Sequence, residues 1–496
     1  MKKDSYLKSP DLLPVKHSGK KISTFGFSVM WVGMAVVLAA FAIGGEGIIN
    51  LPLGMVLLAT LIGTIAIGLF ITIVGDIGIE HGLSFPVYMR APFGTVGTHL
   101  PSITRGVTAS FWFGINTFFG STAINGILNI LTGFDNWLLC YAVFATVQLV
   151  NTAIGIKAVE RFADLAAPVI ILISIWMFYV LSGSATSQGN NIWTWVEAPV
   201  SGTSALMAFI VVIFANMGFW ATLGADIPSI SRFIKAPKNE RSWLKRNKGT
   251  LVGSVVVLPI IQTFIVSIGA VAYISLGVFD PVEALQQTAT GAALAVLLLM
   301  IVFSQWSTNT SANVIPAATI FSNVGGPKVP FYVGVFMAGV IGTVVQPWNL
   351  FNILVPFLLI IGGILSAIVG ILIVDYYIIR KRRVNVPDLY KSDGQYAYYK
   401  GINAAGFIAW TIGGISAYLF MDFSFIVGLA AGGTSYYILA KYWWFKKYNQ
   451  AELEDENDEK YLGITVGRDW VIEEEAVGAE DHVGEADEEV AGTGTV

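Results

Sequence analysis

Cysteine is almost absent. Cys140 stands alone in 496 residues, so neither an intrachain disulfide framework nor a cysteine metal cluster can form. Charge is scarce as well: Asp, Glu, Lys and Arg make up 12% of the chain, about half the roughly 25% usual in soluble domains. Histidine occurs four times, at His17, His81, His99 and His482, and none lies in the middle of an apolar run. No phosphate-binding loop, metal motif, catalytic triad or nicotinamide fingerprint occupies a credible position. These gaps argue against a soluble enzyme and a secreted scaffold, and ATP-driven transport would need a separate subunit. The chain reads as a non-enzyme. Its surplus is apolar: hydrophobic types reach 55%, and there are 52 glycines, a residue more frequent in membrane helices than in soluble ones.

A membrane-spanning helix needs about 20 mostly apolar residues. Twelve such stretches are expected, near 26–45, 51–75, 105–129, 136–153, 163–182, 205–225, 249–275, 291–317, 330–346, 350–377, 403–420 and 424–445. Lys and Arg set orientation. They crowd the N-terminus and the even-numbered connections, with Arg90, Lys157, Arg161, Arg232 to Lys248 and Arg380 to Lys400 as examples. The odd-numbered connections hold none, only acids such as Glu46, Asp135 and Asp280. This pattern places both termini in the cytoplasm. The first twenty residues are polar and lysine-bearing, unlike a cleaved leader, which favours a bacterial inner (plasma) membrane. The basic cluster at 241–248 suits lipid headgroups better than nucleic acid.

From Ala451 to Val496 there are 16 acidic and 2 basic residues, a composition that cannot bury enough apolar surface to fold alone. The expected organisation is a cytoplasmic segment over 1–24, a ten-helix core over 25–400, two further helices over 401–447 and a disordered acidic tail over 448–496. No required protein partner is evident.

Broken helices mark ion and substrate sites in secondary transporters, because free backbone groups survive in a membrane only against protein or a watery cavity. Two candidate breaks occur at matching places in two possible five-helix halves. One runs from Val36 to Gly45, the other from Asn216 to Asp226.

Polar side chains concentrate in the eighth stretch, "FSQWSTNTSAN" from Phe303 to Asn313. Such density is costly against hydrocarbon. Ser304, Ser307, Thr308 and Ser311 share one helical face, and hydroxyl and carbonyl oxygens suit a hard cation such as sodium. Interhelical hydrogen bonding is the alternative. In the third stretch, Trp112 and Asn116 also share a face. An aromatic platform beside an amide suits a flat polar heterocycle, with Phe219 and Trp220 available for the opposite wall and Asn313 as a second amide. Asp226 is expected to pair with a base such as Arg232 or to cap a helix. The scarcity of acids in the spans favours sodium over proton coupling.

The stretches "FWFGIN" at 111–116, "FWATLGADIPSISRF" at 219–233 and "WSTNTSAN" at 306–313 resemble the nucleobase:cation symporter-1 family, which includes cytosine, purine, uracil, allantoin and hydantoin permeases. The stretch over 61–94 resembles the second helix and following loop of cytosine permeases. The resemblance implies an all-α polytopic membrane fold of 12 transmembrane helices, a LeuT-like 5+5 inverted repeat plus two C-terminal helices, with the first and sixth helices broken. It implies a substrate site at Val37, Trp112, Asn116, Gly218, Phe219 or Trp220, and Asn313. It further implies a sodium site from Gly33, Val36, Ser304, Ser307 and Thr308. Val37 is apolar where a glutamine or aromatic would add selectivity, and "GADIPSISRF" departs from the "NIPDF" of many members. The function implied is import of a nucleobase-like heterocycle coupled to Na+. The alternatives are H+ coupling, or an amino-acid or amine symporter on the same fold.

Overall fold

The computed structural model describes residues 5–154, 157–278 and 280–472. Among them, strand pairing is limited to two isolated bridges, Ile22 with Ile234 and Tyr399 with Ile402; the rest of the regular structure is helical. We number the long helices in chain order. The first, α1, is split into Thr24–Ala35 and Ala40–Asn50, bent by 62°. Then come α2 (Leu53–His81), α3 (His99–Thr132), α4 (Trp137–Ile154), α5 (Lys157–Ser187) and α6 (Gly202–Asp226). Next are α7 (Lys248–Leu276), α8 (Gly291–Gly325), α9 (Phe331–Val344), α10 (Leu354–Ile379), α11 (Ala404–Leu419) and α12 (Met421–Lys447). Each expected apolar stretch falls on one of these helices. Seven are long and apolar enough to cross a bilayer, and α1 makes an eighth when its halves count as one span.

The bundle is apolar outside as well as in its core. Helix α2 turns Leu58, Ile62 and Leu69 outwards and buries Thr60, Thr64, Thr72 and Asp76. In water that arrangement would expose apolar surface and strand polar groups. In lipid it is the expected one, provided the buried groups are satisfied. They are: Thr64 and Thr72 donate to Thr60 O and Gly68 O of their own helix, and Asp76 accepts from Arg246.

Packing follows two sets. The second half of α1 lies against α7, and α2 against α6; α3 lies against α8 and α9. Where α1 meets α7 the backbones nearly touch. A Cβ on Gly44 would sit 2.1 Å from Val266 O, and one on Gly269 2.2 Å from Phe41 O. Helices α11 and α12 pack on each other and on α10.

The break in α1 falls over Val36 to Ala39, the beginning of the interval expected. Beyond it the chain is helical again through Gly44 and Gly45. The matching break in α6 is not there: Gly202–Asp226 is one continuous helix. Its glycines serve packing instead. A Cβ on Gly218 would lie 2.3 Å from Leu358 O of α10, and Gly224 faces Ile67 and Ile71 of α2. Small residues at helix crossings act this way in membranes.

The disorder expected over 448–496 is also corrected up to Ile472. Glu452 is fully buried, where it takes charge-assisted bonds from Arg380 and Tyr396. Glu80 accepts from the backbone N–H of Gly463 and Thr465. The acidic composition is offset by bases distant in sequence, so composition alone misjudged it; residues 473–496 lie outside the described residues. The N-terminal segment meets this same face. Val15 pairs with Gly82, and His17 N–H donates to Asp469.

Candidate substrate and cation site

The α1 break frees backbone oxygens, and α8 supplies hydroxyls to meet them. In an unbroken helix Ala40 N–H would bond Val36 O. Here it bonds Val37 O, and Val36 O accepts the Ser304 hydroxyl at 3.1 Å. One turn away, Gly33 O accepts the Thr308 hydroxyl at 3.0 Å. Ser307 borders the same place, its hydroxyl 3.7 Å from where a Gly33 Cβ would stand. Gly33, Val36, Ser304, Ser307 and Thr308 are therefore brought together, all buried. Every oxygen in this group is neutral, and among the described residues no cluster of His, Cys, Asp or Glu could hold a metal ion. Neutral oxygens suit a hard monovalent cation, and the two hydroxyls and two carbonyls would be the ones to hold it once the hydroxyls turn their hydrogens away.

Past Thr308, α8 takes a π turn, Asn309–Val314, a distortion frequent at functional sites. Not every polar group there faces a cavity. Asn309 donates to Thr117 and to Gln148, holding α8 to α3 and α4. Thr310 and Ser311 bond back to Trp306 O and Ser307 O. Asn313 donates to Asn309 Oδ1 at 2.9 Å, which orients its amide.

Beside this junction lies a cavity of about 40 Å³, lined by Val37, Trp112, Asn116, Phe219, Trp220 and Asn313 among others. Gly218 is not part of its lining; its bare backbone serves the α10 contact. Trp112 and Phe219 touch, with ring centroids 4.8 Å apart and planes at 53°. A heterocycle between two stacked faces needs about 7 Å, twice a van der Waals contact, so these rings must part to admit one. Trp220 is turned to Trp31 of α1, at 5.3 Å. Phe219 is thus the helix-six ring opposite Trp112. Asn116 Oδ1, Trp220 Nε1 and Thr222 Oγ1 are buried with no hydrogen-bond partner in the protein. These three border one cavity; other such atoms lie elsewhere in the bundle.

Sequence reasoning passed over Arg105, which also lines it. The guanidinium is fully buried, and its Nη2 lies 3.2 Å from Asp226 Oδ2. Asp226 therefore pairs across to α3, while Arg232 donates to the carbonyls of Asp11, Leu13 and Ser229. The signal available was spacing: Arg105, Trp112 and Asn116 stand seven and four residues apart, on one face of α3.

A helix bundle with an apolar exterior and a broken helix beside an aromatic and amide cavity fits a membrane transporter. The family of permeases for cytosine/purines, uracil, thiamine and allantoin matches residues 14–443, and the chain belongs to that family; it is a secondary transporter of nucleobase-like small molecules, not an enzyme. It is 27% identical to a hydantoin permease of Microbacterium maritypicum, over 92% of this chain and 93% of the relative. It is 27% identical to an allantoin permease of Bacillus subtilis (strain 168), over 88% and 93%. Its fold matches Mhp1, a nucleobase-cation-symport-1 family transporter solved closed with bromovinylhydantoin bound, at a TM-score of 0.81 and 25% identity, over 92% of this chain and all of that one. The fold is accordingly related to the LeuT-like inverted-repeat transporters.

Proposed function

We propose that the protein imports a small planar nitrogen heterocycle by sodium symport, through twelve spans with both termini in the cytoplasm of a plasma membrane. The observation carrying this reading is the pair of bridges from Ser304 and Thr308 to Val36 O and Gly33 O. A cation there ties the broken helix to α8, and α1 also carries Val37 and Met34 to the cavity wall. Ion and substrate thus organise the same short stretch of backbone, which gives each a stake in the other's binding, worth on the order of 1–3 kcal/mol. Trp112 and Phe219 sandwich the ring, and Asn116 and Asn313 read its edge. Rocking of α1, α2, α6 and α7 against α3, α4, α8 and α9 exchanges access between the two sides. The names of similar proteins, hydantoin and allantoin permeases, support a five-membered ring at least as well as a pyrimidine.

The test is uptake into proteoliposomes of cytosine, adenine, guanine, uracil, allantoin and hydantoin, with sodium and proton gradients imposed separately. Saturable accumulation of one ring under a sodium gradient supports the proposal. Accumulation under a proton gradient alone overturns the ion assignment, and transport of amino acids or amines in place of these rings overturns the substrate assignment.

A further inference from the structure

The heterocycle reading leaves one group in the cavity wall unused. Arg105 is fully buried, yet its Nε and Nη1 have no hydrogen-bond partner. Its Nη2 approaches Ala312 O at 3.4 Å and Asp226 Oδ2 at 3.2 Å. The Asp226 contact lies within ion-pair distance but outside hydrogen-bond alignment, for Oδ2 accepts no hydrogen bond. Ser229 donates to Asp226 Oδ1, and the charges of Arg105 and, less strongly, Arg232 act on the carboxylate. Asp226 Oδ2 offsets the charge of the guanidinium, but Nε and Nη1 are left without acceptors. Of the other orphans nearby, Trp220 Nε1 and Thr222 Oγ1 can donate, while Asn116 Oδ1 and Asp226 Oδ2 only accept. A buried guanidinium with free N–H groups is costly unless something completes it, and carboxylates match its geometry best.

Placement limits what that group can be. Arg105 precedes Trp112 by seven residues, roughly 10 Å along the α3 axis. Both residues line one cavity, so a ring on Trp112 can present an acidic substituent to the guanidinium.

We infer that Arg105 is a specificity residue, and that the preferred substrate is a heterocycle bearing a carboxylate or equally acidic substituent, its ring on Trp112 and its anionic end on the free N–H groups of Arg105. This rests on the heterocycle reading above. It accounts for an arginine that the ring-binding residues alone leave unexplained.

The test uses matched pairs differing only by a carboxylate: uracil against uracil-6-carboxylate, and hydantoin against hydantoin-5-acetate. Binding to the purified full-length protein in sodium buffer is followed by thermal shift and by sodium-driven uptake. The acidic member of at least one pair is expected to bind about ten- to hundredfold more tightly, the range for a charge-assisted hydrogen bond. Arg105→Gln should abolish that preference. Should the single variant fold poorly because Asp226 loses its partner, the Arg105→Gln/Asp226→Asn double variant removes both charges and should show the same loss. Neutral rings that bind with no preference for the acid, or a preference that survives both variants, would overturn this inference alone. If no ring of either kind binds, the heterocycle reading falls and this one with it.

Discussion

Thr308 of α8 donates its hydroxyl to the carbonyl of Gly33 at 3.0 Å, across 275 residues of chain, at the place where α1 stops being a helix. Neither residue carries charge. Their contact links the polar stretch of one half of the molecule to the backbone irregularity of the other, and the cation proposal stands on that link.

Thr308→Ala removes an oxygen from this junction and leaves the cavity rings in place. The sodium concentration for half-maximal uptake should rise about two- to tenfold, the worth of one neutral hydrogen-bonding group. Ser304→Ala should act the same way. Sodium titrations of uptake decide it, and an unchanged midpoint in both variants would remove the ion from this position.

Asn313→Ala should lower apparent substrate affinity by about tenfold or more while the protein still reaches the membrane, because Asn309 keeps its bonds to Thr117 and Gln148. The two helix-six aromatics should separate in the same assay. Phe219→Ala loses the face opposite Trp112 and should weaken substrate binding. Trp220→Phe keeps a ring against Trp31 and should change affinity little.

Gly218→Ala should behave as a folding variant. Its Cβ would meet Leu358 O at 2.3 Å, a backbone atom that cannot turn aside, and overpacking of this kind costs about 1–3 kcal/mol. Lower yield and a lower melting temperature with unaltered substrate ranking are expected. A changed ranking would return Gly218 to the binding site.

Lys20 lies outside the spans, and its Nζ donates to Gly78 O and Arg232 O. Burial pushes its pKa down from 10.5 to about 7. Between those values the unfolded chain holds a proton that the folded protein has released, so stability rises with pH across the window. The penalty is full below about pH 7 and fades towards pH 10.5. Lys20→Met should flatten the rise in melting temperature from about pH 7 to about pH 9 relative to the parent. Parallel curves would show that the amine keeps an ordinary pKa.

Glu452→Ala leaves Arg380 buried with Asp375 as its one charged partner among the described residues. Removing one side of a buried pair costs about 3–5 kcal/mol, so a large fall in melting temperature is expected. A fall too small to measure would show that the segment after α12 is not docked in solution.

Local pattern made the α1 break and the α8 hydroxyl cluster legible in the sequence, because a run of hydroxyls and amides inside an apolar stretch has no stable place against lipid and must face protein or water. The same reasoning misread α6. Gly218 and Gly224 look like a break in one dimension, and only the neighbours Leu358, Ile67 and Ile71 reveal them as crossing points. Arg105 was passed over despite its spacing to Trp112 and Asn116: it sits at the edge of an apolar stretch, and its partner Asp226 is on a helix far along the chain. The docked segment up to Ile472 was hidden by its own composition, since an acidic run reads as solvated until the bases that neutralise it are located.

Those bases impose an order of events on synthesis. Arg380 leaves the ribosome 72 residues ahead of Glu452, and Glu80 precedes Thr465 by 385. Glu80 therefore waits through most of translation for the backbone N–H groups of Gly463 and Thr465, with Arg246 as an earlier partner, and Arg380 holds Asp375 until Glu452 is made.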